Sequence, residues 1–174
     1  MRRPALWQTV LQYPLQRLWW ALLGRIYSRV PVTGGSITLH LLDARVPARR
    51  AAAPLASAVA RALELLTHAG EGLAELVPAH VATLAVMGDR PHFAAPHLRL
   101  YLMSDDAFSE SPHAVACRLV WAATVIRLAR DRLHFDQVVD GAAVLEQARL
   151  AQLRYLQRFD GWEAWADALG LVRG

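Results

Sequence analysis

Residues Leu119–Leu128, LVWAATVIRL, decide the fold. They lie in a helical pattern that opens at Ser111-Pro112, a serine suited to the N-cap with proline at the first helical position, and runs to about Arg132. On such a helix Trp121 and Val125 stand four residues apart and share a face, with Ala122 beside them. Strand patterns precede this helix. SITLHLL (Ser36–Leu42) follows the turn signal Thr33-Gly34-Gly35, and VATLAVM (Val81–Met87) is apolar enough for a central strand. HLRLYLM (His97–Met103) alternates, with Leu98, Leu100 and Leu102 expected on a core face and Arg99, Tyr101 and Met103 on a wet one. Ala51–His68 reads as a helix ended by Gly70 and Gly72, and Gly88–Pro96 as a turn-rich loop. Helices are expected at Asp140–Arg158 and at Trp162–Leu169, the latter stopped by Gly170. The expected class is therefore α+β, a small sheet of about three strands packed against several helices.

The run resembles the LVHEATHARL-type stretch of small bacterial HExxH metallopeptidase-like (minigluzincin-like) proteins. Ala123 and Thr124 match as they stand. Trp121 and Val125 occupy the places of the two zinc-binding histidines, and Ala122 that of the general-base glutamate. In the intact motif two imidazoles four residues apart converge on Zn²⁺, and the glutamate deprotonates the metal-bound water. Indole offers no free lone pair to a metal and valine has no donor atom. The resemblance thus implies a zincin-like fold over about Leu63–Phe159 that has lost its chemistry: no catalytic residues, no metal, no cofactor. Its third ligand, a glutamate from a later helix, is best matched by Glu146, twenty-one residues beyond Val125. Trp121, Ala122, Val125 and Glu146 then form a vestigial site. In zinc peptidases of this architecture an edge strand beside the active helix pairs with extended substrate. The resemblance extends that role to His97–Met103, as a strand open to a partner peptide. The plainer reading of Leu98, Leu100 and Leu102 as a core face needs no partner.

Composition bounds the function further. The chain of 174 residues is long enough for one domain, residues 33–174, preceded by an arm, residues 1–32. Hydrophobic residues make up 55% and mean hydropathy is +0.20, with 20% charged. All 19 basic residues are arginine, a bias of genome composition, and the lone Cys117 allows no internal disulfide. Residues 1–30 carry five arginines and no acid, which leaves −1 for the rest of a chain whose net charge is +4. The high pI therefore belongs to the arm. Neither a basic folded face with stacking aromatics nor a nucleic-acid module is recognisable, so no nucleic acid is expected as partner.

The arm reads as a short helix to Tyr13 and a longer one from Pro14 to Arg29. Leu15, Leu18, Trp19, Leu22, Leu23 and Ile26 fall on one arc, flanked by Arg25 and Arg29. Trp and Tyr with marginal arginines is the composition of a helix lying in a membrane interface. The same pattern also suits a helix packed on its own domain or on a partner. Trp7, Arg17, Trp19, Trp20, Arg25 and Arg29 are the expected membrane- or partner-binding residues. Within the longer helix the longest uncharged stretch, Leu18–Gly24, has seven residues, against about 20 for a bilayer span. Gln12, Pro14, Gln16 and Arg17 interrupt any signal-peptide core. The expected location is cytoplasmic, peripheral on a membrane.

Other chemistry is weaker. His113 and Cys117 are four residues apart on one helix, and His92 and His97 flank a Pro-rich loop, but neither pair has an evident third ligand. No Gly-x-Ser-x-Gly elbow or phosphate loop is present. The expected function is that of a non-catalytic binding or structural subunit of a membrane-associated complex. The alternatives are a hydrolase using other residues of the same cleft, or a soluble interaction domain.

Overall fold

The computed structural model describes residues 27–32, 35–41, 48–86, 92–104, 111–133 and 141–172. It is an α+β fold. Strand β1 (Tyr27–Val32) is followed by β2 (Gly35–Leu41), helices α1 (Ala48–Ala69) and α2 (Glu71–His80), and β3 (Thr83–Val86). Then come β4 (Phe93–Ala95), a 3₁₀ turn (Pro96–Leu98), β5 (Leu100–Met103), and helices α3 (Pro112–Leu133), α4 (Gly141–Leu156) and α5 (Trp162–Ala168). One sheet runs in the order β1-β2-β3-β5-β4. The three strands expected from sequence are its parallel centre, β2, β3 and β5, and an antiparallel strand closes each edge.

The two additional strands explain why the expected count was short. Tyr27–Arg29, read as the end of an amphipathic helix, instead begin β1, which forms a hairpin with β2 from Tyr27↔His40 to Val32↔Gly35. Ladder pairing outweighs the helical pattern there, and Pro31 is tolerated because β1 is an edge strand. The sheet domain therefore begins at Tyr27, inside the span drawn as the arm. At the other edge β4 has only three residues and lay within the supposed loop.

Register aligns the core. Leu39, Leu84, Tyr101 and Ala94 stand in one row across β2, β3, β5 and β4. This face, with Ile37, Val86 and Met103, meets Val59, Ala62 and Leu66 of α1, Val77 of α2 and the buried side of α3. The opposite face carries Ala85, Ala95 and Leu100, with Leu98 and Leu102 against them. The wet face expected on β5 is thus the main core: Tyr101 and Met103 are fully buried, and both sides of the strand are covered. A central parallel strand has no solvent side.

Helix α3 is the hub, touching α1, α2, α4, β4 and the 3₁₀ turn. Ser111 caps it as expected, its Oγ accepting from the Ala114 amide at 3.3 Å. From Ala114 to Ile126 only Arg118 and Trp121 are not buried, so the helix is apolar nearly all round, as a central helix must be. Thr124 satisfies its hydroxyl by donating to the Val120 carbonyl at 2.8 Å.

Candidate functional site

A cleft of about 220 Å³ opens between α3, α4, the β4 edge and the C-terminal segment. Helix α3 contributes Arg118 and Trp121, spaced three apart on one face, and α4 contributes Gln152. Tyr101 comes from β5, His92 from the residue before β4, and Leu169 and Leu171 from beyond α5. The side chains interlock. The Arg118 Nη1 donates to His92 Nε2 at 2.6 Å. A guanidinium only donates, so Nε2 must carry the lone pair and Nδ1 the hydrogen, which points to the Tyr101 hydroxyl at 3.1 Å. His92 stacks on Tyr101 with centroids 6.0 Å apart, and Trp121 lies tilted on the same ring at 5.9 Å. Gln152 Nε2 donates to the Cys117 carbonyl at 3.3 Å, which orients the amide at the cleft's base.

The four positions expected to form a vestigial site separate. Trp121 lines the cleft. Ala122 is fully buried within the main core. Val125 packs on Val144 and Ala148 of α4. Glu146 is not brought to α3: Val144 and Ala148 face that helix, and the Glu146 side chain is 52% exposed. Arg149 holds its carboxylate with Nε at 2.9 Å and Nη2 at 2.8 Å. Hydrogen bonding to that guanidinium, with its charge, keeps the Glu146 carboxyl below its ordinary value. The Nη1 of Arg149 donates to the Leu171 carbonyl at 2.8 Å, so this pair ties α4 to the segment that walls the cleft.

The strand to which the resemblance extended partner pairing is not an edge. Residues 97–98 belong to the 3₁₀ turn, and β5 is flanked on both sides, leaving β4 outermost. Arg99 is likewise not a surface residue. In the left-handed conformation (φ 50°), it donates to the carbonyls of Pro78 and Ala79 at 2.8 Å each and approaches that of His80 at 3.5 Å. These are end carbonyls of α2, which lack helical partners.

His113 and Cys117 do not converge as ligands. Cys117 is fully buried, and His113 stacks on Trp165 at 4.2 Å and meets the edge of Phe159 at 4.5 Å. Its Nδ1 is 3.4 Å from the Tyr155 hydroxyl, whose own acidity burial suppresses, the nearby Cys117 adding to the effect. For the other histidine pair, the His97 side chain lies outside the described residues. Among the described residues no three His, Cys, Asp or Glu side chains cluster as a metal site. Of the proposed arm residues, Trp7, Arg17, Trp19, Trp20 and Arg25 lie outside the described residues; Arg29 sits in β1, paired with Thr38.

Burial among these rings lowers the His113 pKa from its ordinary 6.5. The folded state therefore prefers the neutral ring. Above 6.5 both states are neutral and stability is whole; as pH falls below 6.5 the unfolded chain binds the proton first and stability declines toward the folded value. Thermal unfolding of wild type against His113→Phe, which keeps the stack, should show the variant losing less Tm between pH 7.5 and 5.5. Parallel losses would refute this assignment.

Reasoning from sequence missed Arg118 and Gln152. A signal for Arg118 was present: it is the one Arg, Asp or Glu in the run Pro112–Ile126, three residues before Trp121. Gln152 is buried, but nothing in its neighbourhood in sequence marks it. No known family, curated protein or solved structure matches the chain. Among the described residues no helix is long and apolar enough to cross a membrane.

Proposed function

We propose that this chain is a non-catalytic relative of small HExxH metallopeptidase-like proteins, working as a binding or structural subunit at a membrane surface or in a membrane-associated complex. One observation carries the reading. The three positions that would perform hydrolysis hold an indole on the cleft wall, a methyl group in the core and a valine packed against α4. The surroundings fit such an origin: a helix beneath a mixed sheet, an antiparallel edge strand beside it and a further helix packed along it. None of the described residues lining the cleft is acidic, so none of them could serve there as a carboxylate base for water.

The arm would supply attachment. Its tryptophans bring interfacial area, and its four arginines ahead of β1, Arg2, Arg3, Arg17 and Arg25, meet lipid phosphates or acidic partner groups. It leads into β1, at one edge of the sheet, and the cleft lies at the β4 edge. Four strand spacings, roughly 19 Å, separate these edges. Cytoplasmic location and peripheral attachment belong to the same proposal.

Vesicle flotation tests the attachment. The full chain should float with vesicles containing anionic lipid and be released by high salt. The chain begun at Tyr27, which keeps β1 intact, should stay at the bottom of the gradient. Equal flotation of the two forms would remove the arm from the account.

A further inference from the structure

We propose that the cleft binds a small neutral carboxamide on an apolar or aromatic body, its amide paired with that of Gln152 and its body against the Trp121 indole. The proposal rests on the reading above that this cleft binds and does not cut. Arg118, His92 and Tyr101 select nothing in it: they bond to one another, and each has a further interaction besides. Gln152 selects instead. It is 7% exposed and lines the cleft. Its Nε2 faces the Cys117 carbonyl, which only accepts, and this fixes which end of the amide is oxygen. Among the described residues nothing donates to Oε1, and Nε2 has a second hydrogen beyond the one given to Cys117.

A ligand that fills the cleft must donate to Oε1, or it seals a buried carbonyl away from water with no partner. A carboxylate only accepts, so it fails this requirement. An ammonium donates, yet no acidic side chain among the described lining residues would neutralise it there. A carboxamide carries an N–H and a carbonyl together, so it can answer Oε1 and the second Nε2 hydrogen without bringing a charge. The apolar wall, Trp121 with Leu169 and Leu171, sets the other half of the ligand. Trp121 is only half-buried, so its indole retains surface that a ring can cover. A cavity of about 150 Å³ holds a benzene. The 220 Å³ here fits one ring plus an amide, and is too small for a drug-sized molecule.

NMR titration of the full chain tests the proposal with benzamide and methyl benzoate, read at the assigned side-chain NH₂ signals of Gln152. The two probes share a ring and a carbonyl, and only the amide donates. Benzamide should move those signals and bind about ten-fold or more tightly than the ester. Gln152→Met, which fills similar space without the amide, should bring the two probes to equal affinity. Trp121→Leu should weaken both and preserve the preference. Circular dichroism confirms that the variants are folded, and the wild-type signals and Trp121→Leu decide the matter should Gln152→Met fail to fold. Amide and ester binding alike, a preference kept in folded Gln152→Met, or Gln152 signals unmoved by millimolar benzamide would overturn the site. Analysis of the recovered benzamide separates the two readings: intact benzamide that fails to bind sinks the ligand proposal alone, whereas benzoate formed from it sinks the non-catalytic function.

Discussion

Ala122→Glu should leave the chain unable to fold. The substitution restores the general base of the motif that Leu119–Leu128 resembles, yet Ala122 has no exposed surface and belongs to the main core. A glutamate there adds four heavy atoms beyond Cβ to a closely packed layer and buries a carboxyl with no designated partner. Overpacking costs roughly 1–3 kcal/mol and an unpaired buried polar group several more, even after the carboxyl neutralises itself by protonation. The sum approaches the roughly 5–15 kcal/mol that holds a domain together. Soluble yield and circular dichroism would report the loss directly. Ala122→Gly is the control, expected to cost about 1 kcal/mol through helix propensity and to remain folded. A folded Ala122→Glu protein, melting within a few degrees of wild type, would mean that this position faces the cleft and that the core has been wrongly placed.

Arg99→Ala is the second large effect, far from the cleft and read through the backbone. The Arg99 guanidinium closes the C-terminal end of α2 by donating to the Pro78 and Ala79 carbonyls, both at 2.8 Å. Its own carbonyl receives the Ala82 and Thr83 amides at 2.8 and 3.1 Å, joining that helix end to the start of β3. Hydrogen bonds from a charged donor to a group otherwise left unsatisfied contribute about 1.5–3 kcal/mol. For a chain of this size the loss corresponds to a Tm lower by roughly 3–12 °C. Arg99→Gly should be milder than Arg99→Ala. Both lose the guanidinium, but glycine adopts the φ of 50° without the Cβ penalty of about 1 kcal/mol. The reverse ranking in a thermal or urea melt would contradict the backbone argument. An Arg99→Ala protein melting with wild type would show that the side chain carries no capping role.

Much of this fold was legible because its strongest signals are local. Ser111-Pro112 marks the start of α3 by chemistry confined to one turn, and the cap forms as expected. The parallel strands β2, β3 and β5 show as short apolar runs. What escaped depends on partners remote in sequence. Strand β1 is stable as a strand because β2 pairs with it, and β4 because β5 does. Helix α2 carries Gly72 and Pro78, residues that usually mark helix ends, and it forms on the side of the core that Val77 enters. Alternation on β5 was correctly seen but assigned one dry face, since nothing within the strand says that helices cover the side holding Tyr101 and Met103. Glu146 was chosen by distance along the chain, whereas the helical phase of α4 turns Val144 and Ala148 toward α3. The interlocked Arg118, His92 and Tyr101 span 26 residues of sequence and no single motif contains them.

That the α3 cleft does not cut is a proposal. It is tested most directly by expressing the full chain with zinc in the medium, measuring bound metal by mass spectrometry and incubating the protein with a peptide library. The account predicts zinc far below one ion per chain and a library recovered intact. Stoichiometric zinc, with peptide cleavage that a chelator stops and added zinc restores, would contradict it.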